Sequence, residues 1–474
     1  MTTAAALVPH STPRPWRRAL AWLVLLGPFF FLSYGFATWA ATQRAGVPSI
    51  VFPWERSLPF WAWTILPYWS IDVLYALSLF ACVSRSELDV HAKRLLTAQL
   101  IAVTCFLVAP LRFSFAQPAT DGVWGAMFAT LAFFDQPFNQ APSLHLALAA
   151  ILWALYARRL QGLARAAMTA WFLLIGASAL TTYQHHFIDV PTGLLLGLLC
   201  MWAWPFADEG DGRWIGAHWR WTRDRGRLRL AGIYAACAIA LALLGLGLGG
   251  WALWLCWPAV SLTLVALAYA ALGEGAFQKR ADGAASLASR WLFAPYRLGT
   301  WLNSRAWTRG DAQSVAVGDG VYLGRVPTAH ELARSPVGTV VDMTAEFALR
   351  APGREPAGSP ARPAMVAIPV LDLVSPDAAQ LVRAAEAIER ARSDAPVLVC
   401  CALGASRSAC AVAAWLLATG RAADVASALS AVRAARSGVV LGAGHAAALG
   451  GLLQRVRSHR SPMGGMRAPL AVAS

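Results

Sequence analysis

The chain has 474 residues, of which 57% are hydrophobic and 14% charged, with a formal net charge of +15 at pH 7. Soluble globular chains carry about 25% charged residues, so this composition excludes a wholly soluble protein and assigns much of the chain to lipid. The positive charge is not a nucleic-acid footprint, because the arginines fall in short loops between apolar runs, where membrane topology accounts for them.

The first apolar run follows Arg17 and Arg18, is long enough to span, and lacks a small-x-small cleavage site, so it reads as a retained helix. Residues 1–18 then form a cytoplasmic N-terminus. A span needs about 20 apolar residues at a rise of about 1.5 Å each. Eight runs are read as spans: about 19–41, 60–83, 95–111, 143–157, 166–184, 188–205, 229–249 and 251–273. Loops on one side carry fifteen Arg and Lys residues, and those on the other carry three, Arg44, Arg56 and Arg112. The positive-inside rule places the N-terminus in the cytoplasm, and an even number of spans returns residue 274 there. The expected location is a bacterial inner (plasma) membrane, crossed several times. Of eight cysteines, Cys82, Cys105, Cys200, Cys237 and Cys256 lie in apolar runs, and Cys400, Cys401 and Cys410 lie near the C-terminus. Their spacing builds neither a disulfide framework nor a metal site, and no cofactor or metal is expected.

Two segments at the outer ends of the spans carry chemistry. "APSLHLAL" (141–148) opens the fourth, and "SALTTYQHHFIDVPTG" (178–193) joins the fifth and sixth. His185 and Asp189 are four apart, so on a helical turn they face each other. A carboxylate so placed fixes the imidazole tautomer, and His145 from the other helix can donate a proton to a leaving group. Pro142, Ser143 and His145 with the His185/Asp189 pair resemble the type 2 phosphatidic acid phosphatase superfamily, over about residues 60–205. The resemblance implies a six-helix core within the membrane domain (19–205), a phosphohistidine at His185, His145 as general acid and Ser143 on the phosphate. His186 lacks an acid at plus four. Two departures matter. Ser178 is followed by Ala179 where the phosphatases carry Arg, and the first motif is reduced to Gln117 before Pro118. Two phosphate-gripping arginines are missing, with Arg112 as a nearby partial substitute. Loss of the Ser-Arg arginine is typical of the branch that resembles inositol phosphorylceramide and sphingomyelin synthases. An inositolphosphotransferase-like headgroup transfer therefore rivals hydrolysis at this site.

Residues 206–273 read as a cytoplasmic loop and two further spans. In 274–310, "SRWLFAPYRLGTWLNSRAWTRG" alternates Arg and Trp with aliphatics, which suits an interfacial linker. From 311 to 458 Ala-rich helices follow short Val-rich strands, as in a cytoplasmic α/β domain, and 459–474 read as a disordered tail.

The stretch "VLVCCALGASRSACAVAAWLL" (397–417) is a strand, a Gly- and Ser-bearing loop and a helix. Such a loop points backbone N–H groups and a helix N-terminus at one spot, which cradles an anion and lowers a cysteine pKa. Cys401 is then the nucleophile. Arg407, six residues on, grips phosphate oxygens bidentately, and Ser408 reaches the sulfur. Gly404 and Ser406 belong to the cradle. Together these residues resemble the Cys-(x)5-Arg signature of protein tyrosine phosphatases, in the dual-specificity branch. "VYLGRVPT" (321–328), "VVDMTAEF" (340–347) and "IPVLDLVSP" (368–376) resemble that family's first strand and turn, a central strand and the general-acid loop. The resemblance implies that Asp372, 29 residues before Cys401, is the acid that protonates the leaving alkoxide. Cys400 stands where the family has His, and Ala402, Leu403 and Ala405 leave the loop uncharged, which argues against a multiply charged headgroup. The expected protein is a membrane-bound phosphoric monoester hydrolase with lipid phosphate substrates at both faces. A membrane-anchored phosphatase of phosphoproteins, with a degenerate membrane domain, is the alternative.

Overall fold

The computed structural model describes residues 14–134, 136–209, 213–349 and 363–460. The expected disordered tail falls almost wholly on residues 461–474, outside the described ones. The chain divides into two compact units. One is drawn from 1–219, 239–259 and 287–292, and the other from 220–238, 260–286 and 293–474.

The first unit is helical. Its helices are α1 (Trp16–Thr42), α2 (Ile65–Ala81), α3 (Arg85–Val108), α4 (Gly122–Phe134), α5 (Leu144–Arg159), α6 (Gly162–Thr181) and α7 (Asp189–Ala203). Helices α8 (Arg225–Leu248) and α9 (Cys256–Leu267) are divided between the units, and the short α10 (Leu287–Leu292) belongs to the first. Each expected span coincides with helical structure, and α4, between the third and fourth of them, is an additional helix. Among the described residues, six helical segments are long and apolar enough to cross a membrane: Trp16–Thr42, Ala62–Ala81, Arg85–Val108, Gly162–Thr181, Arg225–Leu248 and Gly250–Phe277. Helices α5 and α7, with 16 and 15 residues, are shorter. They pack closely because α7 carries small residues one turn apart. A Cβ on Gly193 would lie 2.5 Å from the Ser143 carbonyl oxygen, and one on Gly197 would lie 2.7 Å from that of Ala147. The "GLLLG" run thus presses the start of α5 against the start of α7. The Ser143 hydroxyl accepts the Leu146 N–H there and caps α5.

The second unit is built on a five-stranded sheet with strands β1 (Ser314–Gly318), β2 (Val321–Arg325), β3 (Thr339–Thr344), β4 (Ala364–Val370) and β5 (Val397–Cys401). Their order is β1-β2-β5-β3-β4. β5 is parallel to both neighbours, and all five of its residues are buried, as expected of a central parallel strand. Helices α11 (Ala294–Trp307), α12 (Ala329–Ala333), α13 (Ala378–Arg392), α14 (Arg407–Ala418), α15 (Val425–Ala435) and α16 (Ala443–Arg460) complete it. Capping boxes start α12 (Thr328 with Glu331) and α13 (Asp377 with Gln380). α14 is wrapped on nearly all sides, with every residue from Arg407 to Leu417 buried, and this fixes the helix that follows the Cys401 loop.

The second unit begins well before residue 311. Of the segment expected as an interfacial linker, Lys279, Tyr296 and Ser304 are buried within it. Lys279 Nζ pairs with Asp342 Oδ2 at 2.5 Å and donates to the Thr344 carbonyl at 2.6 Å, with both charged side chains fully shielded. Ser304 Oγ donates to the Ala402 carbonyl at 2.5 Å.

Candidate active site

The loop after β5 turns its carbonyls outward. The Cys401 carbonyl accepts the Val326 N–H (2.7 Å), that of Ala402 the Ser304 hydroxyl (2.5 Å), that of Leu403 an Arg436 N–H (3.3 Å) and that of Ala405 the Val440 N–H (2.8 Å). With the carbonyls engaged outside, the N–H groups converge inside, as an anion cradle requires. Gly404 makes this possible. Its φ is +72°, and an added Cβ would stand 2.5 Å from the Gly324 carbonyl carbon. The Ser406 hydroxyl lies 2.9 Å from His445 Nε2, so its side chain braces the loop from α16.

Cys401 lies at the base, buried, with the Ser408 hydroxyl donating to its sulfur at 3.1 Å. Burial alone would push this thiol up. The Arg407 charge, the Ser408 hydroxyl and the N–H groups of Ser408 and Ser406 outweigh it and bring the pKa below the ordinary thiol value. Cys400 is different. Strand alternation sends it to the other face of the sheet, into a cluster with Val337, Val340 and Leu398. Burial first, and Asp342 second, push that thiol well up.

Arg407 is buried, and its guanidinium meets Glu346 twice, Nη1 to Oε2 at 2.8 Å and Nη2 to Oε1 at 2.7 Å. Nη1 also donates to the Val370 carbonyl at 2.9 Å, and Nη2 lies 2.9 Å from Asp372 Oδ1. Glu346 is thus a member of the site that no local motif in the sequence marks. Burial would raise its pKa, but Arg407 holds its carboxyl below the usual range. Asp372 follows β4, just before a left-handed residue, Leu373 (φ 56°). Burial raises its pKa above the ordinary value, against the pull of Arg407, and the Glu346 charge adds to the rise. The arrangement brings together every residue expected here: nucleophile, cradle, gripping arginine and carboxylic acid.

In the first unit His185 Nδ1 lies 3.2 Å from Asp189 Oδ2, and its Nε2 lies 3.2 Å from the Ser143 hydroxyl. His185 is in the loop before α7 and Asp189 is that helix's first residue, so the pair forms across a helix start and not along a helix. With Nδ1–H toward the carboxylate, Nε2 carries the lone pair, and it faces the Ser143 hydroxyl. Asp189 Oδ2 also accepts the His186 N–H at 3.0 Å. His145 is not hydrogen-bonded into this group: its ring stacks on Tyr68 at 4.1 Å, and Nε2 has no hydrogen-bond partner among the described residues. Arg112, the expected substitute phosphate ligand, has an exposed side chain. His186, lacking an acid at plus four, has a distant one. Its Nδ1 lies 2.8 Å from Glu55 Oε2, and Ser114 presents its N–H and hydroxyl to Nε2, both at 3.1 Å. Glu55 is buried in a loop and also accepts the N–H groups of Phe52 and Phe187. An apolar cavity of about 740 Å³ beside this segment is lined by Leu146, Phe187, Ile188, Thr192 and Trp254 among others. Among the described residues no group of three or more His, Cys, Asp and Glu side chains is placed to hold a metal ion.

Residues 321–452 match the family model of the dual specificity phosphatase catalytic domain. Among solved structures, human DUSP28 is 26% identical, over 31% of this chain and 96% of that one, with a TM-score of 0.26. Tk-PTP in its active form is 26% identical, over 31% of this chain and 99% of that one, with a TM-score of 0.27. PTPMT1 in complex with PI(5)P is 18% identical, over 32% of this chain and 100% of that one, with a TM-score of 0.29. No curated protein matches the chain. The C-terminal segment, with its sulfur, guanidinium and carboxyl in one pocket, is a phosphatase domain of the dual-specificity type.

Proposed function

We propose that the chain is a membrane-bound phosphatase of lipid phosphate metabolism, whose C-terminal site works through a phosphocysteine at Cys401. The observation that carries this reading is Arg407 poised beside both Cys401 and Asp372, with Glu346 fixing its plane. The thiolate attacks phosphorus, and Arg407 and the loop N–H groups hold the three non-bridging oxygens. Asp372 gives its proton to the departing oxygen as the P–O bond breaks. Water then attacks the phosphocysteine, its proton returns to Asp372, and the Ser408 hydroxyl stabilises the sulfur as it leaves. The apolar helices that precede this domain favour a phosphomonoester held at a membrane surface. The test is full-length protein in detergent or lipid nanodiscs, assayed with p-nitrophenyl phosphate and lipid phosphomonoesters. Cys401→Ser should have no activity above background; activity equal to wild type would overturn the assignment.

For the membrane domain, oriented with its N-terminus in the cytoplasm, we propose a second phosphoryl-transfer site at the outer face. His185 Nε2 would attack phosphorus as the P–O bond to the departing group breaks, with His145 giving a proton to that oxygen and Asp189 holding Nδ1, and the adjoining apolar cavity suits an acyl chain. The acceptor is water or a lipid hydroxyl. His185→Ala should abolish turnover of phosphatidic acid and undecaprenyl pyrophosphate while leaving the Cys401 reaction intact. If the variant retains that turnover, the membrane domain is not catalytic through His185, and the protein-phosphatase reading of the C-terminal domain gains.

A further inference from the structure

The loop that carries Asp372 is held by a residue far upstream in the chain. Tyr269 lies in a π-helical turn, Ala268–Leu272, that continues α9 within the segment Gly250–Phe277, one of the candidate membrane helices. Its hydroxyl donates to the Asp372 carbonyl at 2.8 Å. Both residues belong to the second compact unit. The ring is 1% exposed and stacks on Tyr234 at 5.4 Å, and Tyr234 meets Tyr296 edge-on at 5.8 Å. The backbone of Tyr269 is pinned as well. Its carbonyl accepts Arg227 Nε at 3.2 Å, and Arg227 Nη2 reaches the Ala268 carbonyl at 3.4 Å. The tyrosine is therefore a rigid post, and its oxygen is the atom that reaches the acid loop.

The bonded carbonyl is Asp372's own, its oxygen two bonds from the Cα that bears the acidic side chain. Holding this peptide fixes the point from which the side chain extends toward Arg407, whose Nη2 lies 2.9 Å from the carboxyl Oδ1. A phenylalanine at 269 would keep the stacking and burial and lose only the hydroxyl, so the polar atom has a role that packing does not explain.

We propose that Tyr269 is a positioning residue for the general acid, so that protonation of the leaving group depends on the end of the last candidate membrane helix. This inference rests on Asp372 being the acid, as argued under the proposed function. Its consequence is selective. An aryl phosphate with a good leaving group needs little protonation, whereas an alkyl phosphate needs it fully.

The test compares wild type, Tyr269→Phe and Asp372→Asn as full-length protein in nanodiscs, each on p-nitrophenyl phosphate and on hexyl phosphate. Asp372→Asn should lower kcat on hexyl phosphate by at least about a hundredfold and on the aryl ester far less. Tyr269→Phe should lower kcat on hexyl phosphate by about fivefold, the worth of one neutral hydrogen bond. It should leave KM for both esters, and kcat for the aryl ester, near wild type. If Asp372→Asn shows the leaving-group effect and Tyr269→Phe treats both esters like wild type, the inference falls and the mechanism stands. An equal loss on both esters in Tyr269→Phe likewise overturns it, since that is a general structural defect. If Asp372→Asn itself shows no leaving-group effect, the assignment of the acid fails and the role of Tyr269 fails with it.

Discussion

Glu346 offers the sharpest test of how the pocket's charges are coupled. Glu346→Gln keeps the side chain's length and one carbonyl oxygen, but removes the charge and one of the two acceptors now 2.7 and 2.8 Å from Arg407. The backbone should stay in place, because Arg297 Nε donates to the Glu346 carbonyl at 2.6 Å. A hydrogen bond to a charged partner is worth about 1.5–3 kcal/mol. If that orientation energy is expressed in the transition state, kcat/KM falls about ten- to hundredfold.

The pH profile carries a second, independent signature. In the proposed mechanism Asp372 serves as the acid only while protonated, and its raised pKa keeps it so to higher pH. Burial is the main cause of the rise, and the Glu346 charge is one of the others. Removing that charge leaves Arg407 to stabilise the Asp372 carboxylate with less competition, so the Asp372 pKa falls. The alkaline limb of kcat/KM for an alkyl phosphate must then move to lower pH. An unchanged kcat/KM, or a limb that stays put or moves upward, would refute this account of the pocket.

Three further outcomes follow from the same geometry. Gly404→Ala places a Cβ against the Gly324–Arg325 peptide and forces a non-glycine residue to φ +72°, a conformation that costs about 1–2 kcal/mol by itself. Turnover should be lost and the midpoint of thermal inactivation lowered, as read by residual p-nitrophenyl phosphatase activity. Lys279→Met strands the buried Asp342 charge and should destabilise the catalytic unit by about 3–5 kcal/mol, while Lys279→Met with Asp342→Asn should recover part of the loss. Thermal inactivation of the single and double variants measures this, and a single variant as stable as wild type would contradict it. Cys400→Ala should keep kcat/KM within about twofold, with the acidic limb of the pH profile unmoved, because this thiol is neutral and faces away from the nucleophile.

What the sequence disclosed and what it hid divide along a physical line. The Cys401 loop was legible because its parts are contiguous: strand, turn, Gly404 and helix N-terminus occur in the order in which they touch. Asp372 was legible by its fixed interval to that loop, and His185 with Asp189 by a spacing of four that serves a helix start as well as a helix. Glu346, Tyr269, Lys279 and Glu55 were not legible. Each is a polar residue in an otherwise ordinary segment, and its partner lies 61, 103, 63 or 131 positions away. No periodicity or local motif marks a buried polar group whose partner is supplied by tertiary folding. The same holds for the contacts that residues of 274–310 make within the second unit. The segment's alternating Arg and Trp have the composition of an interface, while Arg297, Ser304 and Arg305 spend their hydrogen bonds on the Glu346, Ala402 and Val326 carbonyls.

The replacement of the family's histidine by Cys400 can be weighed on these contacts. Groups that lower the Cys401 pKa are the Arg407 charge, the Ser408 hydroxyl and the N–H groups of Ser406 and Ser408. All lie after the nucleophile in the chain, in the loop and the first turn of α14. Residue 400 sits on the opposite face of β5, against Val337, Val340 and Leu398, and pairs with Gly324 and Asp342 in the sheet. The loop's outer carbonyls are held from elsewhere, by Ser304, Arg436 and the Val326 and Val440 N–H groups. A small apolar residue at 400 therefore takes nothing from the thiolate that these contacts do not supply. The demands that the histidine would meet, orienting the loop and tuning the sulfur, fall instead on Ser304 of α11 and on Arg407.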